Sequence, residues 1–186
     1  LAYLEDPGLS VEGLMQHVQG PDFPTGGVLM GAEGIYEAYT TGRGKVVLQG
    51  RYTIEKQRDG KHHIVFTEIP YHVVKADLVR QMDAIRLDKQ VHGVQDVRDE
   101  SGRDGLRIVI EVSKSADPEG VLAFYLKKTD LQVNYHFNMV TIHRNAPRQV
   151  GLREIIRSFI EHRREVVRRR SQFDLDKAST RLHEVE

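Results

Sequence analysis

The chain has 186 residues, 39% hydrophobic and 29% charged, an ordinary balance for a soluble globular protein with one large domain or two small ones. Lys plus Arg equal Asp plus Glu at 27 each, so any nucleic-acid contact must come from local charge asymmetry rather than a basic excess. The absence of cysteine excludes disulfides and thiolate metal sites, no run of about 20 apolar residues could span a membrane, and no signal-peptide pattern opens the chain, so a cytoplasmic protein is expected.

Residues 1–32 are rich in Gly and Pro around Gly20-Pro21-Asp22-Phe23-Pro24-Thr25-Gly26-Gly27, which predicts an irregular lead-in. A short helix over 31–40 follows, stopped by Gly42. Val46, Leu48, Tyr52 and Ile54 share one parity and predict a half-buried strand over 45–55. Asp59-Gly60 is a hairpin signal, and the returning strand is expected over 62–68. Leu78, Met82 and Ile85 stand at helical spacing within 75–87. Residues 93–97 and 106–112 form a second strand pair. Asp117-Pro118-Glu119 opens a helix with a cap, a first-turn proline and an acid at the positive end. Residues 131–135 and 137–142 supply more strand. The middle of the chain is therefore predicted to be α+β, an antiparallel-rich two-layer sandwich over 33–146. From Leu152 onward the apolar spacing is helical, and a helix of about 34 residues would reach about 50 Å, an arm occupying 147–186. Leu1 is not an initiator Met and the helix runs to Glu186 without a cap, so a fragment of a longer protein is expected.

Thr41-Gly42-Arg43-Gly44-Lys45 puts two cations on a glycine-flanked turn, open either to a phosphate backbone or to plain exposure, and it lacks the spacing of a nucleotide-binding P-loop. Tyr52 lies in strand parity with apolar neighbours, so a sheet-face aromatic is favoured over a nucleophile. His62 and His63 are adjacent on a strand and point to opposite faces, and no metal site is expected. Arg153–Arg170 carries seven Arg against three Glu. That segment reads as a solvated helix face of i,i+3 and i,i+4 pairs or as a phosphate track, and charge alone favours the first.

The blocks Gly20–Thr25, Gly34-Ile35, Ala38-Tyr39, Thr41–Lys45, Thr67-Glu68-Ile69-Pro70-Tyr71, Lys75-Ala76, Arg98-Asp99-Glu100-Ser101, Asp104-Gly105, Arg107–Glu111, Leu131-Gln132, Asn138-Met139 and His162–Val167 resemble, in order, the A subunits of bacterial type IIA topoisomerases, DNA gyrase and topoisomerase IV. Leu126–Gln132 and Tyr135–Val140 look more like topoisomerase IV of low-GC Gram-positive bacteria than like gyrase. The resemblance implies that the catalytic tyrosine and the duplex-wedging isoleucine lie upstream, so this chain is expected to hold no catalytic residue, metal or cofactor. ATP and Mg²⁺ would act through the partner B subunit. Residues 33–146 would be the tower domain that braces double-stranded DNA, and 147–186 the start of the coiled-coil arm. Arg43, Lys45 and Lys75 are the implied DNA contacts, although Val74 stands where the family often has Asn. The full-length protein would be a homodimer of this kind of chain; the fragment is expected to be a monomer. A structural coupling module between gate and arm, touching DNA little, is the alternative.

Overall fold

A computed structural model of the chain describes residues 1–143 and 146–185. Contacts divide the chain into two units, Leu1–Gln19 with Tyr36–Gly44 and Phe137–Glu186, and Gly20–Ile35 with Lys45–His136. The elements are α1 (Ala2–Glu5), α2 (Val11–Met15), β1 (Val28–Met30), α3 (Glu33–Thr41), β2 (Arg43–Gln49), β3 (Arg51–Lys56), β4 (His62–Glu68), α4 (Lys75–Leu87), β5 (Val94–Asp99), β6 (Ile108–Val112), α5 (Pro118–Lys128), β7 (Gln132–Asn138), β8 (Val140–His143), β9 (Ala146–Gln149) and α6 (Leu152–Val185).

The second unit is built on a four-stranded antiparallel sheet in the order β3-β4-β6-β5. Alternate residues Ile64 and Phe66 of β4, and Ile108, Ile110 and Val112 of β6, form one buried face. Leu78, Met82 and Ile85 of α4 and Val121, Leu122 and Tyr125 of α5 cover it. Each large side chain fully removed from water contributes roughly 1.5–3 kcal/mol, so this layer carries most of the unit's stability. The helices are joined by a hydrogen bond that the Tyr125 hydroxyl donates to the Met82 carbonyl at 3.2 Å, and burial pushes the Tyr125 phenol up to about 12. Asp117 caps α5 by accepting the Glu119 and Gly120 N–H groups, as its sequence requires. The α+β class, the antiparallel pairing and the long terminal helix are as the sequence indicates.

Several elements differ from expectation. The strand anticipated over 45–55 is two strands in two sheets: β2 belongs to a three-stranded sheet ordered β1-β2-β7, while β3 pairs with β4. The change falls at Gly50, whose N–H goes to the Leu131 carbonyl while the next residue, Arg51, is already in register with Glu68. Parity continues through the break, which is why one strand could be read. The lead-in holds two short helices and β1, and it is anchored because the Gly27 N–H donates to Glu68 Oε2 at 2.5 Å. That bond, with Arg51 at 3.0 Å, holds the Glu68 carboxyl below its usual range.

In the first unit, β8 and β9 pair antiparallel with Pro147 opposite Ile142, whereas the sequence indicates strand only as far as residue 142 and an arm from 147. A two-stranded ribbon has only edges, where a missing N–H is tolerated. α6 runs 34 residues from Leu152, and its expected end at Glu186 lies outside the described residues. Among the described residues no helix is long and apolar enough to cross a membrane.

Ile110→Ala should lower stability by about 2–5 kcal/mol through lost burial and a residual cavity. Tyr125→Phe should cost about 1 kcal/mol. Arg103→Ala, on an exposed loop, should shift it by less than about 0.5 kcal/mol. Urea unfolding followed by circular dichroism reads these differences; an Ile110→Ala midpoint equal to that of the wild type would refute the placement of the core.

Candidate nucleic-acid interface

Arg43 leaves the end of α3 from a backbone with little freedom. The Gly42 N–H donates to Ala38 at 2.8 Å, the Gly42 carbonyl accepts from Met139 at 2.8 Å, and Gln149 donates its amide to Thr41 at 3.0 Å. Gly42 has φ +80°, and a Cβ there would stand 2.6 Å from the Val150 carbonyl oxygen, so both conformation and space demand glycine. The Thr41 hydroxyl accepts the Arg43 N–H at 3.1 Å. Arg43 itself is exposed and, among the described residues, has no ion-pair partner.

Lys45 is set by the alternation of its strand. Val46 and Leu48 are buried, which turns Lys45 outward to an exposed position. Gly34 of α3 lies directly against the Lys45 carbonyl, where any Cβ would overlap it. Helix and strand backbone therefore touch, and the strand cannot shift there. Lys45 also lacks an ion-pair partner among the described residues.

Lys75 is placed differently. It is half-buried at the first position of α4 and forms an ion pair with Asp99 at 2.8 Å. A cation at a helix N-terminus opposes the helix dipole, and Asp99 offsets it. Lys75, and then Ser101, hold the Asp99 carboxyl below its usual range. A phosphate would have to compete with that carboxylate, so the structure does not group Lys75 with Arg43 and Lys45, which have no ion pair among the described residues.

The outward face of the four-stranded sheet shows the same pairing more fully. Glu55, His63, Glu111 and Asp96 form a cross-strand row. Lys61 reaches Glu111 at 2.6 Å, Arg98 reaches Glu111 at 2.8 Å and Glu100 at 3.0 Å, and Arg107 reaches Glu100 at 3.0 Å. On α6, Glu165 takes Arg168 at 2.9 Å and Arg169 at 2.6 Å, and Glu154 takes Arg157 at 2.6 Å, which supports the solvated-face reading for those residues. Arg163 and Arg164 have no ion-pair partner among the described residues. Tyr52 packs on Phe66 with ring centroids 5.9 Å apart, in keeping with its strand parity. Among the described residues no group of three or more His, Asp or Glu is arranged to hold a metal ion.

The break expected at His136, between strands 131–135 and 137–142, falls instead at Met139, so that β7 runs unbroken through His136. In β7, Gln132, Asn134, His136 and Asn138 are exposed and alternate with half-buried Val133, Tyr135 and Phe137. Polar residues at every second position are the signal in the sequence for this outward row.

The whole chain, residues 1–186, matches the family described as the A subunit of DNA gyrase/topoisomerase IV. It is 50% identical over 183 residues to the DNA topoisomerase 4 A subunit of Bacillus subtilis (strain 168), covering 98% of this chain and 23% of that protein. It is 52% identical over 183 residues to the protein of the same name from Streptococcus pyogenes serotype M3, covering 98% and 22%, and 47% identical over 186 residues to that of Staphylococcus epidermidis, covering 100% and 23%. The chain thus spans less than a quarter of the length of these relatives.

The paired face gives a pH signature. Lys61 and then Arg98 hold the Glu111 carboxyl down to about 2. A depressed folded-state value stabilises the fold above the ordinary carboxylate range, and this contribution is lost as pH falls from about 4.5 towards 2. Glu111→Gln should lower the urea midpoint at neutral pH and flatten its decline over that acid window. Parallel declines for wild type and variant would rule out the pairing as the cause.

Proposed function

The chain belongs to the DNA gyrase/topoisomerase IV A-subunit family, and from that premise we propose that it braces duplex DNA within the breakage-reunion subunit of a topoisomerase IV rather than cutting it. The names of its relatives, each the DNA topoisomerase 4 A subunit at 47–52% identity, favour topoisomerase IV over gyrase. On this reading the full-length protein is a cytoplasmic A-subunit homodimer. It relaxes and decatenates DNA for chromosome segregation, together with a B subunit that hydrolyses ATP with Mg²⁺. No side chain of the present segment is assigned a catalytic role.

One observation carries the DNA-bracing reading: Arg43 and Lys45 are exposed, lack ion-pair partners among the described residues, and stand on backbone that hydrogen bonds and close packing hold in place. In a chain of zero net charge, cations left without carboxylates can serve an external anion. Bending a duplex of 20–30 base pairs costs of order 1–6 kcal/mol, and fixed cations on its flank help offset that cost. Contacts to phosphates are independent of sequence, which suits an enzyme acting at many sites. The second reading, a gate-to-arm coupling module, is favoured by the many cations already paired on the sheet face and on α6.

The two readings separate in a titration of the chain against a duplex of about 30 base pairs at several salt concentrations. Arg43→Ala with Lys45→Ala should weaken binding and flatten the slope of log affinity against log salt by about 2, while Lys75→Ala should have the smaller effect. Unchanged affinity and slope in the double variant would instead establish the coupling module.

A further inference from the structure

The outward residues of β7 continue the face on which Lys45 stands. β2 and β7 are neighbours in their sheet. Gly50 donates to the Leu131 carbonyl at 2.8 Å, and Met139 donates to the Gly42 carbonyl at 2.8 Å, so the start of one strand meets the end of the other and the pair is antiparallel. Counting inward from either bond brings Asn134 opposite Val47 and His136 opposite Lys45, the latter a non-hydrogen-bonded pair whose side chains are close neighbours. The exposed positions of β7, Gln132, Asn134, His136 and Asn138, include no carboxylate, and neither do those of β2. This is the reverse of the four-stranded sheet's outward face, where Glu55, Glu111 and Asp96 line up across three strands. The acids near the β7 row are Asp77 and Asp130, which line a cavity with Asn134. Among the described residues neither Asn134 nor His136 has a side-chain hydrogen bond or an ion pair.

We infer that Asn134 and His136 extend the duplex contact from Lys45 across to β7, an inference that rests on the DNA-bracing reading. An amide N–H and an imidazole N–H both donate to phosphate oxygens, and such side chains fix the register of a protein on a duplex. Alternate side chains of a strand repeat about every 6.8 Å, twice the roughly 3.4 Å axial spacing of phosphates along one DNA strand. Asn134 and His136, two residues apart on a strand beside Lys45, which has no ion pair among the described residues, therefore match the axial spacing of every second phosphate along one backbone.

The test adds charge as well as removing donors. His136→Lys and Asn134→Lys, each in the whole chain with the same duplex, should tighten binding and steepen the salt slope by about 1, because each new cation faces phosphate. Gln95→Lys, at an exposed position of β5, should leave the slope unchanged. Asn134→Ala should weaken binding roughly three- to tenfold, the loss of one hydrogen bond, with the slope unaltered. If the two lysine variants behave like Gln95→Lys while Arg43→Ala with Lys45→Ala still flattens the slope, the contact stops at β2 and this inference alone fails. If neither set changes the slope, the DNA-bracing reading fails with it.

Discussion

Two main-chain hydrogen bonds, from Met139 to Gly42 and from Gly50 to Leu131, hold the two ends of β2 against β7. Between them Val46 and Leu48 are buried and Arg43 and Lys45 exposed, an alternation that ends at buried Gln49. A one-residue slip would turn both cations inward and both apolar residues out, which burial of Leu48 at 0% exposure forbids. The lack of a Cβ at Gly34 and at Gly42 closes the remaining freedom. The direction of two charges is thus a consequence of backbone pairing and packing rather than of side-chain preference.

Electrostatics then distinguishes the cations by whether a carboxylate has already taken them. Exposed ion pairs contribute little stability, but each neutralises a charge that would otherwise be offered to a ligand. Lys61, Arg98 and Arg107 are committed to Glu111 and Glu100, Lys75 to Asp99, and Arg168 and Arg169 to Glu165. With 27 basic and 27 acidic residues, net charge conveys nothing about partners; the distribution of pairing does. Arg43 and Lys45 are among the cations without an ion pair within the described residues, as are Arg58, Arg103, Arg163 and Arg164, and what sets the first two apart is the backbone that hydrogen bonds and close packing hold beneath them.

Much of the architecture was legible in local pattern. α4 and β4 have the bounds that apolar spacing and Pro70 indicate, and α5 starts where Asp117-Pro118 says it should. What could not be read depends on partners distant in sequence. The break at Gly50 is invisible to parity, because the same face stays buried while the pairing strand changes from β7 to β4. The ion pair of Lys75 needs Asp99, which lies on another element. The outward row of β7 was present as alternation, yet its meaning emerges only when β2 lies alongside. The pair of cations was recognisable as a candidate from Gly42-Arg43-Gly44-Lys45 alone, but their place in β2 rather than on a turn, and the absence of a competing carboxylate among the described residues, required the fold.

The most direct test of the central claim is a backbone amide NMR titration of the chain with duplex DNA, following which resonances move. The account expects the largest changes in β2 around Arg43 and Lys45 and in β7 around Asn134 and His136, with small changes along the paired face carrying Arg98 and Glu111. Changes confined to α6 around Arg163 and Arg164, with β2 silent, would contradict it.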